Sequence, residues 1–132
     1  GAKDYIIKSE RNHFIGSNSN KDRILDGLKL VELDALFLSD QVYSFDMVKR
    51  PKPDPDIYLK VVNDNSLNIE ETVIIEDSGV GVKAATAAGV RVFGLTAGKH
   101  WHSNRKKNEL FDNGALNVFS DYESLGKAIE EL

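Results

Sequence analysis

The chain has 132 residues, a formal net charge of −4 at pH 7 and no cysteine. This length suits one domain with one core, and 41% hydrophobic with 29% charged residues is a globular composition. The acidic balance argues against nucleic acid as a partner, and the lack of cysteine excludes disulfides and thiolate metal sites. Without a signal peptide or an apolar run near the roughly 18 residues of a membrane span, we expect a cytoplasmic protein with no membrane partner.

Short apolar runs alternate with amphipathic stretches, which predicts βα units and a parallel sheet. The β-branched run at 72–75 indicates a strand that is buried on both faces. Gly89 is expected to end the helix that follows this strand. The predicted elements are, in chain order, strand 13–16, helix 21–28, strand 36–38, a proline-rich loop at 50–55, a helix capped by Asp54 that starts at Pro55, strand 72–75, helix 80–88, strand 91–95, helix 104–113, strand 117–119 and helix 121–131.

Polar residues follow three of the predicted strands, namely Ser17, Asp40 and the adjacent pair Glu76 and Asp77. Ligands of open α/β sheets bind beyond the carboxyl ends of the strands. We therefore expect these side chains to face one crevice, with Lys52 brought in by its own loop.

The two adjacent carboxylates, Glu76 and Asp77, repel each other unless a cation or hydrogen-bond donors compensate. A hard cation such as Mg²⁺ prefers oxygen ligands and would compensate both charges. The alternative is that Asp77 caps the following helix through backbone amides while Glu76 is solvated.

Lys52 and Ser17 are candidate phosphate ligands. Lys52 lies between two prolines, so its stiff loop loses little entropy when the ammonium binds an anion. Ser17 offers a hydroxyl and backbone N–H groups between a strand end and a helix start. The alternatives are a surface lysine in a turn and an ordinary capping serine.

Three segments in this order carry a family resemblance. They are Ile-Gly-Ser-Asn-Ser at 15–19, Lys-Pro-Asp-Pro-Asp-Ile-Tyr at 52–58, and Ile-Ile-Glu-Asp-Ser-Gly-Val-Gly at 74–81, followed by alanines at 84, 85 and 88. Together they resemble the haloacid dehalogenase superfamily, within it the β-phosphoglucomutase-like and phosphoglycolate-phosphatase-like enzymes. The resemblance covers about residues 12–98.

The resemblance implies a three-layer, Rossmann-like α/β fold, with a parallel sheet and helices on both faces. It implies Mg²⁺-dependent hydrolysis of a small phosphorylated metabolite, a phosphate monoester, through an aspartyl-phosphate. Ser17, with help from Asn18, would bind the transferring phosphoryl group, and Lys52 would offset its charge. Glu76 and Asp77 would be Mg²⁺ ligands, so the implied catalytic residues are Ser17, Lys52 and Asp77. Positioning and charge neutralisation are also what phosphoryl transfer requires physically.

Two parts of the family pattern are missing from this sequence. The nucleophilic aspartate lies in an Asp-x-Asp-Gly motif on the first strand, but the only Asp-x-Asp here is at 54–56, inside the lysine loop. The helical cap is absent too, and residues 3–11 are interpreted as the connection back from it. We therefore expect residues 1–132 to be one partial core domain that lacks the first strand and the cap.

A missing central strand would expose unpaired backbone groups, which is costly. Three hypotheses follow: the chain is a partial product of a longer protein, a second chain or a second copy completes the sheet, or the two half-sheets close up. We favour a partial product that is inactive alone.

The leading functional hypothesis is a phosphatase in the intact parent protein. A sugar-phosphate mutase and a non-catalytic α/β binding module that keeps a phosphate or Mg²⁺ site remain alternatives. A metal site at His100 and His102 is disfavoured, because residues two apart share a side only in a strand and this segment is predicted to be a loop.

Overall fold

The computed structural model of the chain describes residues 1–97 and 108–132. None of the helices in these two ranges is long and apolar enough to cross a membrane. Short 3₁₀ turns at Asp34–Leu36, Ser39–Gln41, Phe45–Met47 and Ile69–Glu71 link some of the elements. The helices and strands are α1 (Ala2–Lys8), β1 (Ile15–Gly16), α2 (Lys21–Leu30), β2 (Val42–Tyr43), α3 (Asp56–Asp64), β3 (Val73–Glu76), α4 (Gly79–Ala87), β4 (Arg91–Leu95), α5 (Asn108–Asp112), β5 (Asn117–Phe119) and α6 (Tyr122–Glu130).

The strands form two parallel half-sheets. One contains β1 and β2, and the other has the order β3-β4-β5, with Glu76 opposite Gly94 at the carboxyl end of β3. No ladder of hydrogen bonds joins the two half-sheets within the described ranges. The predicted α/β class with parallel strands is therefore confirmed, and the hypothesis that the half-sheets close up is wrong.

Helices cover both faces of the larger half-sheet, as predicted. Along β4, Val92 points into a core shared with α3, α4 and α5, whereas Phe93 and Leu95 point into a second core beneath α6. The neighbouring strand β3 alternates in the same way, with Ile74 on the first core and Ile75 on the second. This period of two produces the three layers.

Several predicted bounds agree with the structure. The strands at 91–95 and 117–119 have the predicted limits, and the helix predicted at 80–88 is observed as Gly79–Ala87. Gly89 ends this helix with φ +77°, and the N–H of Val90 bonds to the carbonyl of Ala85. A left-handed residue followed by this bond is the Schellman motif.

The strand predicted at 36–38 is wrong. Leu36 ends a 3₁₀ turn and Leu38 is 68% exposed, while the second strand is formed by the buried pair Val42–Tyr43. Burial of the segment, rather than a run of three apolar residues, decides which segment pairs with β1. Asp40 consequently precedes β2 instead of following a strand, so it lies at the amino end of the sheet, away from Ser17.

Two other predictions change by small amounts or fall outside the described ranges. The helix predicted from Pro55 begins one residue later, at Asp56, and the prediction of Asp54 as its cap is wrong, because the cap position is Pro55 and no side chain caps the helix. The N–H of Asp54 instead closes a turn onto the carbonyl of Pro51. Only Asn108–Asp112 of the helix predicted at 104–113 is described. Residues 104–107 and the segment with His100 and His102 lie outside the described residues.

Two valines of α4 provide a test of the core. Val82 is fully buried between α4 and the sheet, whereas Val80 is 49% exposed. Because burial of the two methyl groups is lost, we expect Val82→Ala to lower the free energy of unfolding by about 2 kcal/mol. Val80→Ala in the same helix is the matched control and should change it by less than about 0.5 kcal/mol. Urea denaturation measures both, and equal losses would contradict the assigned packing.

Candidate functional site

The predicted site residues lie at the carboxyl ends of β1 and β3 and in the proline-rich loop at 50–55, which we call the lysine loop. This loop connects the two strand ends. The Nζ atom of Lys52 lies 2.5 Å from Oε1 of Glu76, the last residue of β3. The same ammonium donates to the carbonyl oxygen of Gly16, the last residue of β1, at 3.0 Å. One side chain therefore connects the ends of the two half-sheets.

The pair of Lys52 and Glu76 is buried, with 10% and 7% of the two side chains exposed. Tyr58 donates its hydroxyl hydrogen to the same Oε1 atom, and its ring centroid lies 4.9 Å from the Lys52 ammonium. Burial, and then the charge of Glu76, raise the pKa of the Tyr58 hydroxyl well above its usual range, so this hydroxyl is a donor at neutral pH. These additional partners are what make a buried ion pair tolerable.

Gly81 leaves the space that the Glu76 carboxylate occupies at the start of α4. A Cβ atom on Gly81 would overlap the carboxylate of Glu76, so the carboxylate would have to move. The cap of α4 is Ser78, whose hydroxyl accepts from the N–H of Gly81 at 3.1 Å. Ser78, and not Asp77, is therefore the capping side chain of this helix.

Ser17 lies in a loop that is fastened to β2. Its N–H donates to the carbonyl of Tyr43 at 3.0 Å, and its hydroxyl accepts from the N–H of Ser19 at 3.1 Å. The cap of α2 is Asn20, which accepts from the N–H of Arg23. The hydroxyl of Ser17 thus stabilises a turn beside the Lys52 loop and does not cap the helix.

Asn18, next in the chain, contacts the lysine loop directly. Its Oδ1 atom accepts from the backbone N–H of Lys52 at 3.0 Å, and its Nδ2 atom donates to the carbonyl of Lys52 at 3.3 Å. The side chain of Asn18 therefore joins the loop at 17–20, which we call the serine loop, to the backbone of the lysine loop.

The lysine loop is closed on itself by Arg50 and Asp56, whose side chains form two hydrogen bonds of 3.0 and 3.3 Å. The Lys52–Pro53 peptide bond within the loop is cis. Sequence reasoning missed this ion pair and the role of Tyr58, which it named only as the last residue of the segment at 52–58. The available signal for the ion pair was the presence of a basic and an acidic residue, Arg50 and Asp56, at the two ends of the proline-rich segment.

Asp77 is exposed beside the buried pair. Burial, and then the negative charge of Asp77, raise the pKa of the Tyr122 hydroxyl, so this ring lies within electrostatic reach of the carboxylate. Residues 1–97 and 108–132 contain no group of three or more histidine, cysteine, aspartate or glutamate side chains that could hold a metal. Two adjacent carboxylates nevertheless fit the small protein ligand set of Mg²⁺ sites in which water and phosphate complete the coordination.

A cleft of about 960 Å³ separates the two half-sheets. Its lining includes Phe14–Gly16, the strand β3, and Ser17, Lys52 and Asp77. The structure therefore brings all five predicted site residues to one cleft, while Asp40 is not among its lining residues.

Known proteins resemble this chain in both sequence and fold. The family model for haloacid dehalogenase-like hydrolases matches residues 4–95. The chain belongs to this family. This confirms the resemblance that the three segments carried, because the matched range includes the serine, lysine and acidic segments.

Three members of the haloacid dehalogenase-like family illustrate the similarity. A phosphorylated carbohydrates phosphatase of Thermotoga maritima is 34% identical over 129 residues, which is 96% of this chain and 56% of that protein. A haloacid dehalogenase-like protein of Agrobacterium tumefaciens superposes with a TM-score of 0.90 at 32% identity, over 99% of this chain and 59% of the other. A family hydrolase of Deinococcus radiodurans, solved with bound phosphate and sodium, gives 0.84 at 30% identity, over 97% and 56%. The chain thus spans less than two thirds of each.

The close approach of Gly81 to Glu76 generates a prediction. Gly81→Ala should displace the carboxylate from Lys52 and Tyr58 and lower the free energy of unfolding by about 2 kcal/mol, in the range of overpacked sites. Gly27→Ala in α2 is the control, since no atom lies within 4 Å of its added Cβ, and it should stabilise the helix by about 0.5–1 kcal/mol. Denaturant unfolding measures both. A Gly81→Ala protein as stable as Gly27→Ala would show that Glu76 is misplaced.

Proposed function

We propose that the complete protein to which this chain belongs breaks the phosphate ester bond of a small phosphorylated metabolite, with water as the acceptor. The observation that carries the proposal is the Lys52 ammonium, held by Glu76 and Gly16 in a cleft that Ser17 and Asn18 also line. A fixed cation next to hydroxyl and amide donors is what phosphoryl transfer needs, because its catalysis is mostly positioning and charge neutralisation.

Each site residue has a proposed part in this chemistry. The Ser17 hydroxyl and the backbone N–H of Asn18 bind the phosphoryl oxygens from the loop after β1, and Lys52 offsets their negative charge from the facing loop. Glu76 holds Lys52 in place through their buried ion pair. Ser17, Lys52 and Asp77 form the catalytic set.

Mg²⁺ is the proposed cofactor. Among the described site residues, Lys52 supplies one positive charge beside the carboxylates of Glu76 and Asp77, and a phosphate would bring further negative charge to them. Asp77, exposed at the end of β3, would hold the metal ion directly. Glu76, whose Oε1 atom is engaged by Lys52 and Tyr58, would contribute through water. The bound ion would supply positive charge for the phosphoryl oxygens.

The nucleophile is proposed to come from a strand that fills the cleft between β1 and β3. The sequence holds no Asp-x-Asp-Gly motif. A parallel strand in this position would pair with the edges of both half-sheets and end beside Lys52 and Asp77. An aspartate there would form the aspartyl-phosphate. The strand belongs to another segment of the complete protein, to a second polypeptide or to a second copy, and the partial core domain at 1–132 stays a prediction.

Two related functions are distinguished by their products. A sugar-phosphate mutase would use the same side chains and pass the phosphoryl group to a second hydroxyl in place of water. A non-catalytic binding module would bind phosphate or Mg²⁺ without turnover. The name of the Thermotoga maritima relative, a phosphatase of phosphorylated carbohydrates, supports the hydrolytic reaction.

The complete protein should hydrolyse p-nitrophenyl phosphate in the presence of Mg²⁺, and Lys52→Ala or Asp77→Ala should lower kcat at least ~100-fold, as expected for lost electrostatic stabilisation. The controls are Lys127→Ala and Glu123→Ala, which break an exposed ion pair of α6 and should leave kcat unchanged. Circular dichroism checks that all variants fold. The 132-residue chain alone should show no turnover.

Near-normal kcat in either site variant would refute the role of that residue. Turnover by the isolated chain would refute an external nucleophile. A complete protein that binds phosphate without releasing product would favour the binding module.

The open edge of β3 can be tested by amide hydrogen exchange on the isolated chain. We expect the amides of Val73–Glu76 that point away from β4 to exchange far faster than those of β4, which is paired on both sides. The strand β4 is thus an internal control. Protection of these β3 amides that rises with protein concentration would identify a second copy as the source of the strand. Full protection at every concentration would contradict an open edge.

A further inference from the structure

We infer that Asn18 is a positioning residue whose side-chain amide latches the lysine loop onto the serine loop and thereby sets where Lys52 stands relative to Ser17. The expected effect on phosphate binding rests on the proposed function. The contact between Asn18 and the lysine loop, which we call the latch, rests on geometry alone. The role differs from that of a substrate ligand, because both ends of the amide are engaged by protein backbone.

The latch consists of two hydrogen bonds to one residue. The backbone N–H of Lys52 donates to Oδ1 of Asn18 at 3.0 Å, and Nδ2 of Asn18 donates to the carbonyl of Lys52 at 3.3 Å. A carboxamide offers an acceptor and a donor on one rigid plane, so it holds both polar groups of Lys52 at once. The contact joins positions 34 residues apart in the chain.

Within the described ranges, the other backbone hydrogen bonds of residues 50–55 stay inside the loop or enter α3. Asp54 bonds back to Pro51, and Leu59 bonds to Pro55 in the first turn of α3. The ion pair of Arg50 and Asp56 closes the loop on itself. These contacts fix the shape of the loop but not its distance from β1. In the described chain, the backbone of the lysine loop is hydrogen-bonded to the serine loop through the Asn18 amide.

The serine loop is a firm anchor for such a latch. Ser17 donates to the carbonyl of Tyr43 in β2 at 3.0 Å, and Ser19 accepts from the N–H of Phe45 at 3.2 Å. Because Asn18 belongs to this loop, its hydrogen bonds hold the backbone of Lys52 at a fixed position relative to β2. Since Asn18 directly follows Ser17, the latch holds the backbone of Lys52 beside the loop that carries the Ser17 hydroxyl.

Lys52 keeps its contacts to Glu76 and Gly16 when the latch is removed, because these involve its ammonium and not its backbone. Loss of the latch is therefore expected to loosen the loop without breaking the buried ion pair. This separates the proposed role of Asn18 from a general role in stability.

The test uses the 132-residue chain with three variants. Asn18→Ala removes both hydrogen bonds, and Asn18→Asp keeps the acceptor for the Lys52 N–H. Asn20→Ala is the matched control, because Asn20 lies two residues away and caps α2 without contacting the lysine loop. Hydrogen exchange of the Lys52 amide is followed by NMR without ligand. We expect at least tenfold faster exchange in Asn18→Ala, and near-native exchange in Asn18→Asp and Asn20→Ala.

Inorganic phosphate, titrated at constant Mg²⁺, provides the second readout. Asn18→Ala should weaken phosphate binding about tenfold while Asn20→Ala leaves it unchanged. Unchanged Lys52 exchange in Asn18→Ala, or equal acceleration in Asn20→Ala, would overturn the latch. Faster exchange with unaltered phosphate affinity would overturn the positioning role. If the wild-type chain binds no phosphate, the proposed phosphate site fails for this chain, and the exchange data alone decide the latch.

Discussion

The buried ion pair of Lys52 and Glu76 is the constraint on which the rest of the site depends. Removing an ammonium and a carboxylate from water is costly unless the remaining hydrogen-bonding positions are filled. The structure fills them with the hydroxyl of Tyr58 and the carbonyl of Gly16. A glycine at 81 is then required, because the carboxylate lies where a Cβ atom would stand. One electrostatic requirement thus fixes residue types on α3, β3 and α4.

Stability alone does not explain this pair. Buried ion pairs can usually be replaced by apolar residues of similar volume at little cost, so a protein that needs only a core has no reason to keep one. Here the pair lines a cleft together with Ser17 and the exposed Asp77. A cation kept in place by an internal counter-ion is preorganised for a ligand that arrives with negative charge.

The parts that could be predicted from the sequence are those that depend on local pattern. The strands at 91–95 and 117–119 were predicted because apolar runs stand between clear breakers, and Gly89 because only glycine readily adopts its backbone conformation. The prediction of a strand at 36–38 was wrong because a run of apolar residues does not show which segment is buried. The amide of Asn18 and the hydroxyl of Tyr58 could not be assigned either, since their partners lie 34 and 18 residues away and depend on how the loops fold.

The first hydrophobic core explains how the two half-sheets keep their relation across the cleft. It contains Tyr43 from β2 and Val92 from β4, joined by buried residues of α3 and α4, so helices bridge the gap that no strand fills in the described chain. The edges of β1 and β3 are therefore held apart by packing that does not involve a central strand. It follows that Lys52, Glu76 and Asp77, which are proposed to neutralise charge, are positioned in this chain without the strand that is proposed to carry the nucleophile. An incoming strand would meet a formed electrostatic site, and its own aspartate would be the last group to be positioned.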